Sequence, residues 1–386
     1  MQKGGRTNGV GPGCAETLDV KVVTVVTGCE EVTEITPSLK SEHTLGERVE
    51  LLPVVALVKK PFKPTDEMRA HLADVKARTK EKAVKVDGGE NFRAEVYSVA
   101  GSSELRLGNE DRFTLMENVA QGVLLMGVFD GHGGADTSDF LQKKLPAELA
   151  KQMLMAGEYT AENLATALRK SIAFCEEKYC GENLPKPKSA ESDEDQEKEE
   201  VPEGGYTSSG ACLLVCLYVV EQRMLVVANV GDSRGILALP PTMGEGGVGT
   251  AVGLSRDHTA GNPLELKRVR AAGGTVDKNG YICGEMAPSR AIGDVQFKGG
   301  DPDEPQNVII AVPEIVCYRD VPAQALVLLA SDGLWDTIRS DEAAHIALQT
   351  IEKTGDLSEA CRRLVLEATQ VRGSEDDTTL VMLQIL

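Results

Sequence analysis

Aromatic residues make up only 4% of the 386 positions, with a single Trp. Aliphatic and β-branched side chains must therefore fill any interior. No stretch reaches the roughly 18 apolar residues of a transmembrane helix, so no membrane partner is expected. The opening MQKGGRTNGVGPG lacks a signal-type apolar core and a Gly after Met for myristoylation. An intracellular protein, cytoplasmic and/or nuclear, is expected. Nine Cys are present without a C-x-x-C pair, and most sit inside apolar runs such as GACLLVCLYVV. A disulfide framework and a zinc site are both disfavoured, leaving buried free thiols in a reducing compartment. No G-x-G-x-x-G or P-loop opens a helix, which argues against a nucleotide-binding doubly wound sheet. There is no internal repeat.

Acidic charge is abundant instead. The formal net charge is -19, a surface that repels phosphate backbones and excludes nucleic acid as a natural partner. Part of the excess is local: SAESDEDQEKEEVPE (189–203) carries eight acidic residues against one Lys. That composition marks an insertion near 182–204 too charged to pack. Residues 1–91 are read as an extension, packed on or tethered to the rest. Two strand-like runs there (VKVVTVVTG and VELLPVVALV) precede a charged helix-like segment.

From 92 to 386 the pattern is denser. NFRAEVYSVAG and GVLLMGVFD read as strands, the second apolar on both faces and hence covered on both. Helices follow as SDFLQKKL, PAELAKQMLMAG and a longer one capped by Thr160 and ended at Gly181. GACLLVCLYVV and MLVVANV are joined by three residues, which forces an antiparallel pair. Asn262-Pro263 opens a helix. VIIAV, ALVLLAS and TTLVMLQIL are further strands, with helices after Ser340 and Asp356. These runs suggest an α+β fold with sheets sandwiched between helix pairs, since neither sheet face looks wet.

Carboxylates recur where the strands end. GVFDG delivers Asp130, ASDGLWD delivers Asp332, GNEDRF holds Glu110 and Asp111, and SEDDTT holds Asp376 and Asp377. A single Asp-Gly is ordinarily a turn. Several at the ends of adjacent core strands would crowd like charges unless a cation neutralises them. Oxygen-only ligands select Mg²⁺ or Mn²⁺. Gly131 lets the backbone turn so that its carbonyl can join the set.

Seven segments complete the pattern: RLGNEDRF, GVFDGHGG, NVGDSRGIL, LSRDHTAGNPLELKRVRAAGG, SRAIGD, ASDGLWD and GSEDDTT. In this order they resemble the metal-dependent protein serine/threonine phosphatases of type 2C. The resemblance implies an α-β-β-α sandwich, two central antiparallel sheets flanked by helix pairs, with two Mg²⁺ or Mn²⁺ ions at one end. Asp130 matches the bridging carboxylate, and the Gly131 carbonyl binds one ion. Asp332 and Asp376 match the remaining direct ligands, and Glu110 and Asp111 match residues that hold metal-bound waters. Arg106 matches the residue gripping substrate phosphate, and His132 the general acid for attack by metal-bound hydroxide on phosphoserine or phosphothreonine. Asp232, Asp257, Arg290 and Asp294 are read as structural supports, and His258 as shaping a loop.

Two departures stand out. Asp336, a partner for a third ion, is present, but Gly205 stands where the family usually has the other Asp. A third ion is therefore in doubt, with Glu203 as a candidate substitute. Asp377 replaces a common Asn, adding charge that could tighten or perturb the metal site. The substrates expected are phosphorylated proteins and the expected state is a monomer. The alternative is a pseudophosphatase, a regulatory or scaffold binding module that keeps the fold.

Overall fold

The computed structural model describes residues 49–51, parts of 65–73, 85–102, 108–183, 209–241, 249–298 and 307–386. The run at 20–28, Arg106, Gly205, Glu203 and nearly all of the acidic insertion lie outside the described residues.

Two antiparallel sheets stack on each other. The first contains β1 (Val49–Leu51), β4 (Arg112–Ala120), β5 (Val123–His132), β6 (Gly210–Val219), β7 (Met224–Val230), β10 (Ile292–Gly293) and β11 (Glu314–Tyr318). Their order is β1-β11-β7-β6-β5-β4, with β10 on β6. The second contains β2 (Lys85–Asp87), β3 (Phe92–Val99), β8 (Arg234–Leu239), β9 (Thr250–Gly253), β12 (Leu326–Ala330) and β13 (Thr378–Ile385). Their order is β2-β3-β13-β12-β8-β9. Two short strands from the first 91 residues thus join the sheets, β1 against β11 and β2 against β3.

Strand alternation explains the layering, because successive side chains leave opposite faces. On β5 and β6, Leu125, Phe129, Leu213, Val215 and Leu217 pack toward helices α1 (Asp136–Ala156) and α2 (Ala161–Asn183). Their neighbours Leu124, Met126, Val128, Leu214 and Cys216 meet Val327, Leu329, Val381 and Leu383 of the second sheet. That sheet's other face, with Leu326, Leu328, Leu380 and Met382, buries against α5 (Ser340–Thr354) and α6 (Leu357–Leu366). The central strands β5, β6, β7, β12 and β13 are covered on both faces, so they carry almost no polar alternation.

Local signals hold at several ends. Thr160 Oγ1 accepts from the Asn163 N–H at 3.2 Å, Asn262 caps α3 (Pro263–Ala271) with Pro at its start, and Asp356 caps α6. Three expectations fail. Pro146 lies inside a continuous α1 instead of dividing two helices. Gly181 lies inside α2, which runs to Asn183. VIIAV forms only one isolated bridge, Ile310 to Arg290, and the strand is the following EIVCY. Val308 and Ile309 are buried in a small cluster with Val269, Ile282 and Ala291, which accounts for their apolarity without a ladder.

Candidate metal centre and active site

Antiparallel pairing sets where the carboxylates meet. The end of β5 lies beside the start of β4, with Phe129 opposite Arg112, so Asp130 arrives next to Glu110 and Asp111. In the second sheet the end of β12 lies beside the start of β13, with Ala330 opposite Leu380, which joins Asp332 to Asp376. Ser331 ties the sheets together: its hydroxyl donates to Asp111 Oδ2 at 2.8 Å and accepts from the Thr379 N–H at 2.9 Å. Across the same junction, the Asp332 N–H points at Asp130 Oδ2 at 3.4 Å. Asp336 follows one turn later, at the end of the short helix α4 (Asp332–Trp335), and is exposed.

Glycines permit this approach. A Cβ on Gly131 would sit 2.4 Å from the Glu110 carbonyl oxygen, and one on Gly333 would sit 2.2 Å from that of Asp377. Both are closer than any side chain tolerates, so the two crossings require residues without one.

The charges press on each other. Burial, then the charges of Asp332, Asp111, Asp232 and Asp376, hold the Asp130 carboxyl well above the carboxylate range. Burial, then Asp232, Asp376, Asp336 and Asp111, does the same to Asp332. Burial pushes Asp111 up to about 7 against the pull of its Thr379 and Ser331 hydrogen bonds, and pushes Asp232 up to about 6. Asp111 Oδ1 is buried with no hydrogen-bond partner. A crowd of carboxylates in which one buried oxygen lacks a donor is what a hard divalent cation would satisfy. The residues fit such an ion.

Asp377 has a different task. Its Oδ1 accepts from the Gly101 N–H and its Oδ2 from the Glu110 N–H, each at 2.7 Å. Both oxygens are thus engaged by backbone, and the residue pins the Glu110–Asp111 loop to the start of β13.

His132 closes β5, and its Nε2 lies 2.8 Å from Asp294 Oδ2. Asp294 is fully buried while the imidazole is about a quarter exposed. Burial works to lower the His132 pKa, but the hydrogen bond and charge of Asp294, with Asp232 and Glu110 adding, leave it raised. Asp294 adopts a left-handed conformation with φ 49°, and its carboxylate overlies Gly210, where a Cβ would meet it at 2.2 Å. The segment leading to it is anchored by Glu265, which accepts from Ser289, Arg268 and Arg290. Asp294 thus touches the His132 ring itself. His258 does shape a loop: its Nδ1 accepts from the Gly231 N–H and its carbonyl accepts from the Ser289 N–H.

In the sequence Cys212 is one more position of the apolar run GACLLVC. The strand register sets it opposite Asp130, and its thiol donates to Asp232 Oδ1 at 3.1 Å. Only pairing with the GVFDG strand could have revealed this, because GACLLVC alone gives no sign of a site.

The family model for protein phosphatase 2C matches residues 97–378. The chain belongs to the protein phosphatase 2C family. "Probable protein phosphatase 2C 25" of Arabidopsis thaliana is 31% identical over 296 residues, covering 75% of this chain and 64% of that protein. "Protein phosphatase 1L" of Bos taurus is 30% identical over 298 residues, covering 75% of this chain and 71% of that protein. The fold is shared with a Toxoplasma gondii phosphatase crystal structure at a TM-score of 0.59 and 20% identity, over 78% of this chain and 94% of that one. As a phosphatase 2C member the protein is a serine/threonine protein phosphatase, a hydrolase acting on phosphoproteins. No helix among the described residues is long and apolar enough to cross a membrane.

Proposed function

We propose that residues 92–386 hydrolyse phosphoserine and phosphothreonine in proteins with the help of two Mg²⁺ or Mn²⁺ ions. Asp130, Asp332, Asp376 and the Gly131 carbonyl would hold the ions, and Glu110 and Asp111 would order the water around them. Such a pair supplies Lewis acidity, lowering the pKa of water and offsetting charge on phosphoryl oxygens. The observation that carries this reading is the meeting of Asp130, Asp332, Asp111 and Asp376 at one end of the sandwich, with an orphaned Asp111 oxygen among them.

The chain's own groups handle the substrate and the proton. Arg106, by its place in the RLGNEDRF segment, binds the phosphoryl oxygens. A Ser or Thr alkoxide is a poor leaving group and needs a proton. His132 donates it: with Nε2 committed to Asp294, Nδ1 carries the transferable proton. Asp294 fixes the ring plane and favours the charged imidazolium, so it is a positioning residue. The cysteines need not be nucleophiles. An intact carboxylate set supports catalysis over a pseudophosphatase.

The full-length protein is expected to cleave a phosphothreonine peptide only with Mn²⁺ or Mg²⁺ added, and excess chelator should stop it. Turnover that survives chelation, or that survives in an Asp130→Ala, Asp332→Ala double variant, would overturn the reading.

A further inference from the structure

The first sheet places a soft donor among the hard ones. Asp130 and Cys212 are register partners on β5 and β6, and the turn after β7 brings Asp232 to the same place. One ligand atom from each of Asp130, Cys212 and Asp232 lies within 4.8 Å of the other two. The thiol is buried while both carboxylates are part-exposed, so an ion approaching from solvent meets oxygen first and sulfur behind it. The space around the sulfur is reserved by Gly231, where a Cβ would stand 2.3 Å from Sγ.

We propose that Asp130, Cys212 and Asp232 form a binding site for a thiophilic divalent cation, Zn²⁺ or Cd²⁺, which overlaps the Mg²⁺/Mn²⁺ centre at Asp130 and competes with it. A thiolate flanked by two carboxylates discriminates by softness: Mg²⁺ and Mn²⁺ take oxygen, whereas Zn²⁺ and Cd²⁺ prefer sulfur. A tetrahedral Zn²⁺ with bonds near 2.0–2.3 Å requires ligand atoms about 3.5 Å apart. The Cys212–Asp232 pair is already at 3.1 Å, so side-chain adjustments of about an ångström complete three corners, and water takes the fourth. As the metal–sulfur bond forms, the thiol proton passes to solvent and no electrons are exchanged. An ion held there would occupy Asp130 and so would withdraw that carboxylate from the Mg²⁺/Mn²⁺ centre.

The binding half stands on the three side chains alone. The competition half rests on the reading of Asp130 as the shared ligand. The full-length, chelator-stripped protein is titrated with Cd²⁺ while the ultraviolet thiolate-to-cadmium absorption is followed, and the titration is repeated with excess Mg²⁺. A band saturating at one equivalent is expected, lost in Cys212→Ser, with Cd²⁺ bound at least tenfold more weakly by Asp232→Asn and in the presence of Mg²⁺. An undiminished band in Cys212→Ser, or none in the wild type, overturns the site. A band indifferent to Mg²⁺ overturns the overlap. Mn²⁺-dependent activity, measured separately on the wild type, reports on the phosphatase mechanism independently of the cadmium band.

Discussion

His132 and Asp294 lie 162 residues apart and share a hydrogen bond of 2.8 Å. The pairing separates two tasks that a mutation can tell apart. Asp294→Asn keeps a polar group of the same size but removes the charge that favours the protonated ring. Its kcat on a phosphothreonine peptide should fall about tenfold or more, a part of the roughly 10²–10⁴-fold that a general acid contributes. On an aryl phosphate, whose leaving group needs no proton, the loss should be much smaller, with KM and metal affinity unchanged. Steady-state kinetics on the two substrates checks this, and equal losses would reduce Asp294 to a packing role. At this scale much was legible: Asp130 and Asp332 announce themselves by closing apolar runs, and Asp376 by standing just ahead of one. Cys212 did not, because its environment is set by a neighbouring strand. The effect of Asp377 was also hidden, since its oxygens are consumed by two backbone N–H groups distant in the chain.

Elements bring those residues into reach only where their backbones nearly touch. Gly131 lets the end of β5 pass the Glu110 carbonyl and the Ser138 hydroxyl, where a Cβ would stand at 2.4 and 2.9 Å. Gly131→Ala must force β4 and β5 apart at that end. Overpacking of this kind costs about 1–3 kcal/mol, so the thermal midpoint should drop by several degrees, and metal affinity should weaken because Asp130 and Glu110 separate. Thermal melts and a calorimetric metal titration are the checks; a variant with wild-type melting and metal affinity would refute the tight crossing. Element identity followed from unbroken apolar runs where strands pair, as in β5, β6 and β13. It failed at VIIAV, because burial alone makes a segment apolar and hydrogen-bond pairing is decided by a partner elsewhere. It failed at Pro146 as well, where α1 continues through the proline and packs on the first sheet.

For the molecule as a whole, the cost of gathering these carboxylates depends on pH. Asp111 and Asp232 have folded pKa values raised to about 7 and about 6 from 3.8. Between 3.8 and those values the folded metal-free protein binds more protons than the unfolded chain. Their contribution is therefore fully present below pH 3.8 and is lost as pH rises through about 6 and 7. A divalent ion removes this penalty, and at pH 5 it must first displace protons. Saturating Mn²⁺ should accordingly raise the thermal midpoint by several degrees at pH 7.5, consistent with about 2.7 kcal/mol for ligand at a hundred times its Kd. At pH 5 the gain should be less than half as large. Scanning calorimetry with and without metal measures both, and an equal gain at the two pH values would contradict the carboxylate account.

The sequence by itself determined the layer architecture and the chemical character of the site. Dry strands demand cover on both faces, and carboxylates placed at strand ends demand a cation, whichever strands turn out to be neighbours. Only the tertiary structure decided the company each group keeps: Asp294 behind His132, Cys212 beside Asp130, and backbone donors around Asp377. Periodicity records how deeply a residue is buried, whereas a hydrogen bond or a ligand set depends on which distant segment is folded against it.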